Sequence, residues 1–282
     1  MSVTQNTSVA SNAGVTEAIR SAAAAVLGDG RAKLVLGFRE RTGRRIPALV
    51  SDPQETGQLV WDSLCVNNLA AYLRKKEVRE MFPVAVVARP AVMRSLIVLQ
   101  AESQIAPDQV LVLAAGENEF HGILSLAETA ALLKDKYAAL MPDAELLARL
   151  KELAAMTPEQ RAAFWSEQFD KCTRCNACRA ACPGCYCQLC AARKNVPQWI
   201  STVAGGQGSF MWNIMRAYHQ AGRCTLCGAC QAACPQGIPL MLLNLWIEQQ
   251  VEDEFDFKAG YDPEGKPLIG SWKPDDDDSF MR

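Results

Sequence analysis

The feature that most constrains this chain is a cysteine motif that occurs twice between residues 171 and 235. Each copy has the spacing C-x2-C-x2-C-x3-C and is followed by proline. The first copy comprises Cys172, Cys175, Cys178 and Cys182, and the second comprises Cys224, Cys227, Cys230 and Cys234. Residues 171–183 and 223–235 are identical at nine of thirteen positions. The repeat indicates an internal duplication of a 4Fe–4S binding motif.

The spacing also predicts which cysteines act together. Three cysteines at intervals of three residues let one tight loop surround a 4Fe–4S cube, whereas the fourth cysteine, before proline, leaves that loop. In two-cluster ferredoxins the fourth cysteine of each motif ligates the other cluster. We therefore predict two crossed ligand sets. The first set is Cys172, Cys175, Cys178 and Cys234, and the second set is Cys224, Cys227, Cys230 and Cys182.

Two other uses of clustered cysteines fit the sequence less well. Structural zinc usually binds paired C-x2-C knuckles rather than two C-x2-C-x2-C-x3-C-P runs. A disulfide framework is typical of secreted proteins. The first fourteen residues, however, have neither the basic region nor the apolar core of a secretory signal.

Four further cysteines lie outside the two motifs. Cys185, Cys187 and Cys190 follow the first motif closely and form the third set, and Cys65 lies far upstream. Because the twelve cysteines divide into three groups of four, we hypothesise a third 4Fe–4S cluster held by Cys65 and the third set. It would join the two halves of the chain. The alternatives are that Cys65 is an ordinary buried thiol and that the third set binds zinc or nothing.

The composition excludes several classes of protein. The 282 residues are long enough for two domains, and 49% hydrophobic and 21% charged residues are typical of a globular protein. A net charge of −2 argues against a general nucleic-acid binder. No apolar run approaches the roughly 20 residues of a membrane span. Clustered thiols without an export signal predict metal in a reducing, cytoplasmic compartment.

The hydrophobic pattern predicts an α/β N-terminal domain and a mainly helical, bacterial-type dicluster (two 4Fe–4S) ferredoxin-like C-terminal domain. Apolar runs at 84–88 and 110–115 flank a helix that starts at Pro90, which is typical of a β-α-β unit with parallel strands. Strands are also predicted at 33–38 and 46–50, and helices at 15–27, 67–76, 126–137 and 143–169. The expected organisation is a disordered N-terminus (1–14), an α/β domain (15–140), a helical bridge (141–170), an iron–sulfur domain (171–254) and an extended acidic tail (255–282).

The sequence offers no candidate catalytic residues. His121 and His219 are isolated histidines, which are more often packing or surface residues than ligands. The basic stretch from Lys33 to Arg45 could contact a flavin or nucleotide phosphate, but a solvated hairpin is the simpler interpretation. No chemistry beyond electron transfer is evident.

Several of these residues resemble a known family. The run from Cys172 to Cys190, especially Cys-Pro-Gly-Cys-Tyr-Cys at 182–187, is similar to the beta subunits of deazaflavin-reducing hydrogenases and formate dehydrogenases. Val60-Trp61 and Cys65-Val-Asn-Asn-Leu69 add to the resemblance, which extends over most of residues 30–240. Members of that family are iron–sulfur flavoproteins that pass electrons between a catalytic subunit and a diffusible carrier. This chain departs from them by its full second motif at Cys224–Cys234 and by the lack of an evident flavin fingerprint.

The resemblance and the motifs together imply an electron-transfer subunit of an anaerobic oxidoreductase complex rather than a stand-alone enzyme. Its expected partners are other subunits of the complex: a formate dehydrogenase, hydrogenase or heterodisulfide-reductase-like catalytic subunit. The alternative is a beta subunit with bound FAD that itself reduces a soluble deazaflavin or nicotinamide carrier. A zinc-stabilised scaffold is the alternative from another functional class.

Overall fold

Residues 12–138 and 142–269 are described by the structure, a computed structural model of the chain. The predicted disorder of residues 1–11 and the predicted acidic tail beyond residue 269 lie outside the described residues. Within them, the strands all precede residue 125, and all twelve cysteines except Cys65 lie in a helical region that follows.

A five-stranded mixed sheet forms the first half of the chain. The strands are β1 (Leu34–Arg41), β2 (Arg44–Val50), β3 (Val84–Ala88), β4 (Val110–Ala115) and β5 (Phe120–Leu124), in the order β2-β1-β3-β4-β5. The inner pairs β1–β3 and β3–β4 are parallel, and the outer pairs are antiparallel. All five residues of β3 are buried. A strand covered on both faces explains why this segment is a continuous apolar run.

The β1–β2 hairpin turns at Thr42-Gly43. Both residues have positive φ, 50° and 75°, as a two-residue type I′ turn requires. The turn is therefore shorter than the basic segment that the sequence predicted, and most of the arginines lie in the strands. The stretch is solvated, apart from a 2.6 Å ion pair between Arg45 and Asp62.

Three helices pack on the sheet: α1 (Ala13–Gly28), α3 (Pro90–Ala101) and α4 (Leu126–Lys136). Proline at the first position of α3 fits a site where no backbone N–H is needed. Ser125 and Glu128 form a capping box at the start of α4. The parallel β3-α3-β4 unit is thus confirmed. Helix α1 begins at Ala13, two residues before its predicted start and inside the segment predicted to be disordered.

Residues 53–79 connect β2 to β3 through short helical turns. Two 3-10 helices, Pro53–Gln58 and Leu69–Arg74, are followed by α2 (Lys76–Arg79). The predicted α-helix at 67–76 is therefore a 3-10 helix, with Asn68 accepting a hydrogen bond from the backbone N–H of Ala70. Four of its residues are buried, which the sequence indicated by its apolar positions.

The second half of the chain is helical. Its helices are α5 (Ala144–Ala155), α6 (Pro158–Asp170), α7 (Ala177–Ala181), α8 (Gly206–Tyr218), α9 (Ala229–Ala232) and α10 (Leu240–Phe255). Thr157 and Gln160 form a capping box at the start of α6. Trp165, Phe169 and the apolar side chains of α5 and α10 share one core. None of the helices in residues 12–138 and 142–269 combines the length and hydropathy of a membrane span.

Helix α3 joins the two halves. It is buried from Val92 to Leu99, polar residues included. The Ser95 hydroxyl lies 2.8 Å from that of Thr225, in the second cysteine motif. The Arg94 guanidinium donates to the Ala259 carbonyl at 2.7 and 3.0 Å. Polar groups on the outer side of a helix normally face water. In α3 they form hydrogen bonds with the second half of the chain instead, which explains how residues 92–99 can be buried.

The architecture confirms a mixed α/β sheet followed by helices with clustered cysteines. The sequence missed β5, which has five half-buried residues and contains Gly122, a residue type disfavoured in strands. The domain boundaries and the ferredoxin-like arrangement of the second half stay predictions. The tail was predicted to begin at residue 255, but Phe255 ends α10. Residues 256–269 pack against α3, and Ala259 is 1% exposed.

The contact between the tail and α3 makes Gly260 a sensitive position. Its φ is +84°, and a Cβ atom there would lie 2.6 Å from the Arg94 carbonyl oxygen. We expect Gly260→Ala to lower the free energy of unfolding by about 2 to 4 kcal/mol. The cost of holding alanine in the left-handed conformation adds to the cost of the clash that its Cβ atom makes. Gly57→Ala is the control, since nothing lies within 4 Å of its added Cβ. Chemical denaturation of the two variants giving equal stabilities would contradict this prediction.

Candidate metal centre

The two cysteine motifs have the same local backbone. Arg174 and Asn176 have φ values of 57° and 62°, and the equivalent Leu226 and Gly228 have values of 54° and 75°. Positive φ at alternate residues turns successive N–H groups to one side of a loop and forms a nest, a shape found at many iron–sulfur and phosphate sites. The duplication seen in the sequence is therefore also a duplication of loop geometry.

The four cysteines of the first set line one pocket. Trp212 and Asn213 of α8 and Ile238 contribute other parts of its wall. Burial raises the pKa of the Cys178 thiol, and the neighbouring sulfurs of Cys172 and Cys234 contribute to the increase. Cys234 belongs to the second motif, so the fold brings the last cysteine of one copy to the first three of the other.

The second set is assembled in the same way. Burial raises the pKa of the Cys224 thiol well above its ordinary value, with smaller contributions from Glu248 and from Cys230, Cys227 and Cys182. Cys182 comes from the first motif. Helices α7 and α9, which follow the equivalent loops, pack against each other. This pairing places each fourth cysteine next to the opposite loop.

A buried arginine lies between the two sets. Arg216 of α8 is 5% exposed. One of its terminal nitrogens donates to the Cys178 carbonyl at 3.2 Å, and its Nε has no hydrogen-bond acceptor among the described residues. Burial alone would lower the pKa of Arg216, yet interaction with the sulfurs of Cys185, Cys182, Cys178 and Cys230 raises it above its ordinary value. The groups that stabilise this cation are therefore sulfur atoms of the first, second and third sets.

Carboxylates are missing from this part of the sequence. Residues 171–247 contain seven lysines and arginines and no aspartate or glutamate. Glu248 follows, but burial raises its pKa to about 8, so it is largely uncharged at neutral pH. In residues 12–138 and 142–269 no carboxylate forms an ion pair with Arg216. A buried cation needs a nearby anion, and thiolates are the available source. The charge pattern was visible in the sequence and could have identified this region as anion-binding.

The α/β half of the chain fixes the loop between the motifs. Arg74, at the end of the second 3-10 helix, donates to the carbonyl groups of Cys182 at 3.1 Å and Cys185 at 2.6 Å. A cation at these carbonyls also interacts favourably with the carboxyl end of α7. Arg223 forms a 2.6 Å ion pair with Glu102, just beyond α3. Neither contact was predictable from the sequence, because the partners are more than 100 residues apart.

Two asparagines lie next to cysteines of the second set. The Asn68 amide nitrogen donates to the Ser95 hydroxyl at 2.8 Å, and the nearby Asn68 side chain moderates the increase in pKa that burial causes in the Cys227 thiol. Asn244 of α10 is buried and its amide nitrogen lies 3.5 Å from the Cys230 sulfur. Hydrogen bonds to cluster sulfurs are one means of setting a reduction potential. Asn68 gives a structural role to the Asn-Asn part of the resemblance motif.

The third set lies beside a cavity of about 250 Å³, together with Arg179, Arg216, His219 and Arg223. Cys65 lies elsewhere. Its sulfur is 3.7 Å from the Val60 carbonyl and from the Asp62 carboxylate, and burial raises its pKa to about 11.

Helix α3 shows how far apart these groups are. Cys65 interacts with Arg89, at the amino end of α3, whereas Tyr186 of the third set's loop contacts Glu102, beyond its carboxyl end. Twelve helical residues span about 18 Å. The structure thus gives Cys65 and the third set different neighbours, and the third cluster stays a prediction.

The two histidines have different surroundings. His121 bonds to the Tyr137 hydroxyl at 2.7 Å, and burial lowers its pKa. His219 is exposed and borders the cavity of the third set. Across residues 12–138 and 142–269, no three His, Cys, Asp or Glu side chains converge on a point where a single metal ion could bind. In a 4Fe–4S cluster each cysteine binds a different iron, so its ligands surround a volume rather than meet at a point.

No model of a protein family matches the chain. Two curated proteins are similar to part of it. The F420-dependent formate dehydrogenase subunit beta of Methanocaldococcus jannaschii is 27% identical over 105 residues, and the F420-dependent formate dehydrogenase 1 subunit beta of Methanococcus maripaludis is 31% identical over 110 residues. The resemblance seen in the sequence is confirmed for 37% and 39% of this chain. These alignments span only 27% and 28% of the relatives' own lengths.

The repeated backbone yields a matched pair of variants. Gly228 occupies the left-handed position that asparagine, Asn176, occupies in the first motif. We expect Gly228→Val to lower the free energy of unfolding by about 2 kcal/mol, because a branched residue disfavours positive φ. Its iron content after anaerobic purification should also fall. Gly228→Asn should retain both. Equal stability and iron content in the two variants would show that this loop is not held in the left-handed conformation.

Proposed function

We propose that this chain is an electron-transfer subunit of an oxidoreductase complex. It binds two 4Fe–4S clusters, one through the first set and one through the second set of cysteines. It relays electrons between a catalytic subunit, of formate dehydrogenase, hydrogenase or heterodisulfide-reductase-like type, and another carrier.

The observation that supports this proposal best is the position of Arg216. A guanidinium that is 5% exposed, without a carboxylate partner, requires negative charge nearby. Cysteine sulfurs of the first and second sets lie near it, and nests of backbone N–H groups frame both loops. Protonated thiols would leave the cation uncompensated. Clusters bound by thiolates provide the charge that the fold is built to receive.

The residues present fit this cofactor in kind and number. Eight thiols in two crossed sets are the ligands that two cubanes need, and the described residues include no disulfide among the twelve cysteines. When bound, such clusters accept and release single electrons. The protein holds their ligands, encloses them in apolar and amide groups, and sets the local charge. Free thiols of this density also fit a reducing, cytoplasmic compartment.

A second candidate function follows from the names of the relatives. Both are F420-dependent formate dehydrogenase beta subunits, and by analogy this chain would bind FAD and reduce a soluble deazaflavin or nicotinamide carrier. A flavin absorption band in the purified protein, released on denaturation, would favour this function. Colour from iron and sulfide alone would favour the relay.

The first test is the content of iron and acid-labile sulfide in protein purified without oxygen. We expect about eight of each per chain, four per cubane. Cys65→Ser should leave both unchanged, since Cys65 contacts Val60 and Asp62 rather than the third set. Cys234→Ser should instead reduce the iron content, because Cys234 completes the first set.

The controls separate the remaining hypotheses. About twelve irons in the native chain, falling to about eight in Cys65→Ser, would establish the third cluster. Zinc in place of iron would contradict the relay and support a structural scaffold. Equal iron contents in Cys234→Ser and the native chain would contradict the hypothesis that the two ligand sets are crossed.

Arg216 provides a separate prediction about potential. Removing a buried positive charge favours the oxidised, less negative state of nearby clusters. We therefore expect Arg216→Leu to lower the equilibrium constant for reduction of the clusters at least tenfold. For one electron this corresponds to a reduction potential about 59 mV lower. Redox titration monitored by electron paramagnetic resonance measures it. Arg216→Lys keeps the charge and Arg193→Leu removes an exposed one, so both should stay near the native potential. An unshifted Arg216→Leu would refute the role of the charge.

A further inference from the structure

The loop between the two motifs carries an unusual number of exposed apolar side chains. Leu189, Val196, Trp199 and Val203 are 71%, 95%, 58% and 72% exposed. Single exposed apolar residues are normal on protein surfaces, whereas several in one segment indicate a binding surface. We call residues 187–203 the apolar loop.

The inner side of the apolar loop is anchored next to the first set. Ala192 and Ile200 are buried against Trp212 of α8, and Cys172 and Cys190 pack at the edge of this cluster. Arg174, within the first motif, donates to the Ser201 carbonyl at 3.0 Å. Cys175 and Cys187, at the ends of neighbouring loops, are exposed. The loop thus forms part of the surface closest to the predicted ligands.

The outer side is held in a defined conformation. The Asn195 side chain accepts hydrogen bonds from the backbone N–H groups of Trp199 at 2.6 Å and Ile200 at 3.0 Å. Its amide nitrogen also donates to the Ile200 carbonyl at 3.3 Å. A surface whose anchors are already ordered loses less entropy on binding. This bonding would be unnecessary for a loop that only connects two motifs.

The charge around the loop identifies its partner. Arg193 and Lys194 are exposed between the apolar residues, and residues 171–247 contain no carboxylate. The chain as a whole has a net charge of −2, whereas residues 171–247, with seven lysines and arginines and no carboxylate, have a formal charge of +7. We propose that the apolar loop is the docking surface for an acidic electron-carrier protein of ferredoxin type. Apolar contacts at Trp199 would provide affinity, and the two cations would select a partner of opposite charge.

This inference rests on the proposed function for the identity of the partner, but binding can be measured without electron transfer. An acidic two-cluster bacterial ferredoxin serves as the probe. Isothermal calorimetry, with both proteins oxidised and oxygen excluded, gives the dissociation constant. We expect Trp199→Ser to raise it at least tenfold, as truncation of a central aromatic does. The double variant Arg193→Glu/Lys194→Glu should do the same at low salt, and added salt should weaken native binding.

Matched variants lie on the α/β half of the chain. Leu49→Ser changes another exposed apolar residue, 49% exposed in β2, and Lys134→Glu changes an exposed lysine of α4. Both should leave the dissociation constant within about twofold of the native value. Circular dichroism and iron content of every variant show whether it has folded and assembled.

The outcomes separate this surface from the proposed function. A native chain that contains iron but does not bind the probe, or whose binding ignores all loop variants, would overturn the docking surface. If the native chain binds the probe but contains no iron after anaerobic purification, the result would support the surface and overturn the relay. Sedimentation showing a native dimer that Trp199→Ser dissociates would assign the surface to a second copy. Tighter probe binding after changing Asp275–Asp278 to asparagine would assign it to the chain's own acidic segment. Either result would replace the proposal.

Discussion

The attraction between one buried guanidinium and the surrounding cysteine sulfurs is the interaction on which the second half of this structure depends. Arg216 is enclosed by segments from both motifs, and no carboxylate is available to neutralise it in residues 171–247. Removing a charge from water costs several kcal/mol unless an opposite charge compensates it. The fold therefore needs negative charge beside Arg216 of α8. The same requirement makes this region a suitable host for anionic clusters, since each negative site offsets part of the cost of the cation.

Helix α3 extends this dependence to the sheet. Its inner side packs on β3 and β4, and its outer side bonds through Ser95 to Thr225 of the second motif. Arg74 reaches from the 3-10 helix to the carbonyls that follow the first motif. Both loops are thus positioned by the α/β half, although the chain has no covalent crosslink between the halves. A relay that must hold its redox groups at fixed separations benefits from such a rigid support.

The number of cysteines does not show which of them lie close together. Twelve thiols divide evenly into three groups of four, but this division carries no information about the distances between them. Cys65 belongs to the core of the sheet, near Arg89, and the other three border a cavity beyond the far end of α3. Cys65 is also well explained as a buried thiol, because its surroundings raise its pKa to about 11 and make the thiolate that a metal needs unfavourable.

The sequence by itself determined the elements whose signals are local. The cysteine spacing, the capping boxes of α4 and α6, and the apolar run of β3 depend on residues within a few positions of one another. The duplication also predicted the crossed sets, which stay a prediction. Only the tertiary structure decided the long-range partners: Asn68 with Cys227, Arg74 with Cys182, and Arg216 between both motifs. Such contacts arise from packing of segments far apart in the chain, and periodicity or spacing does not record which side chains will meet.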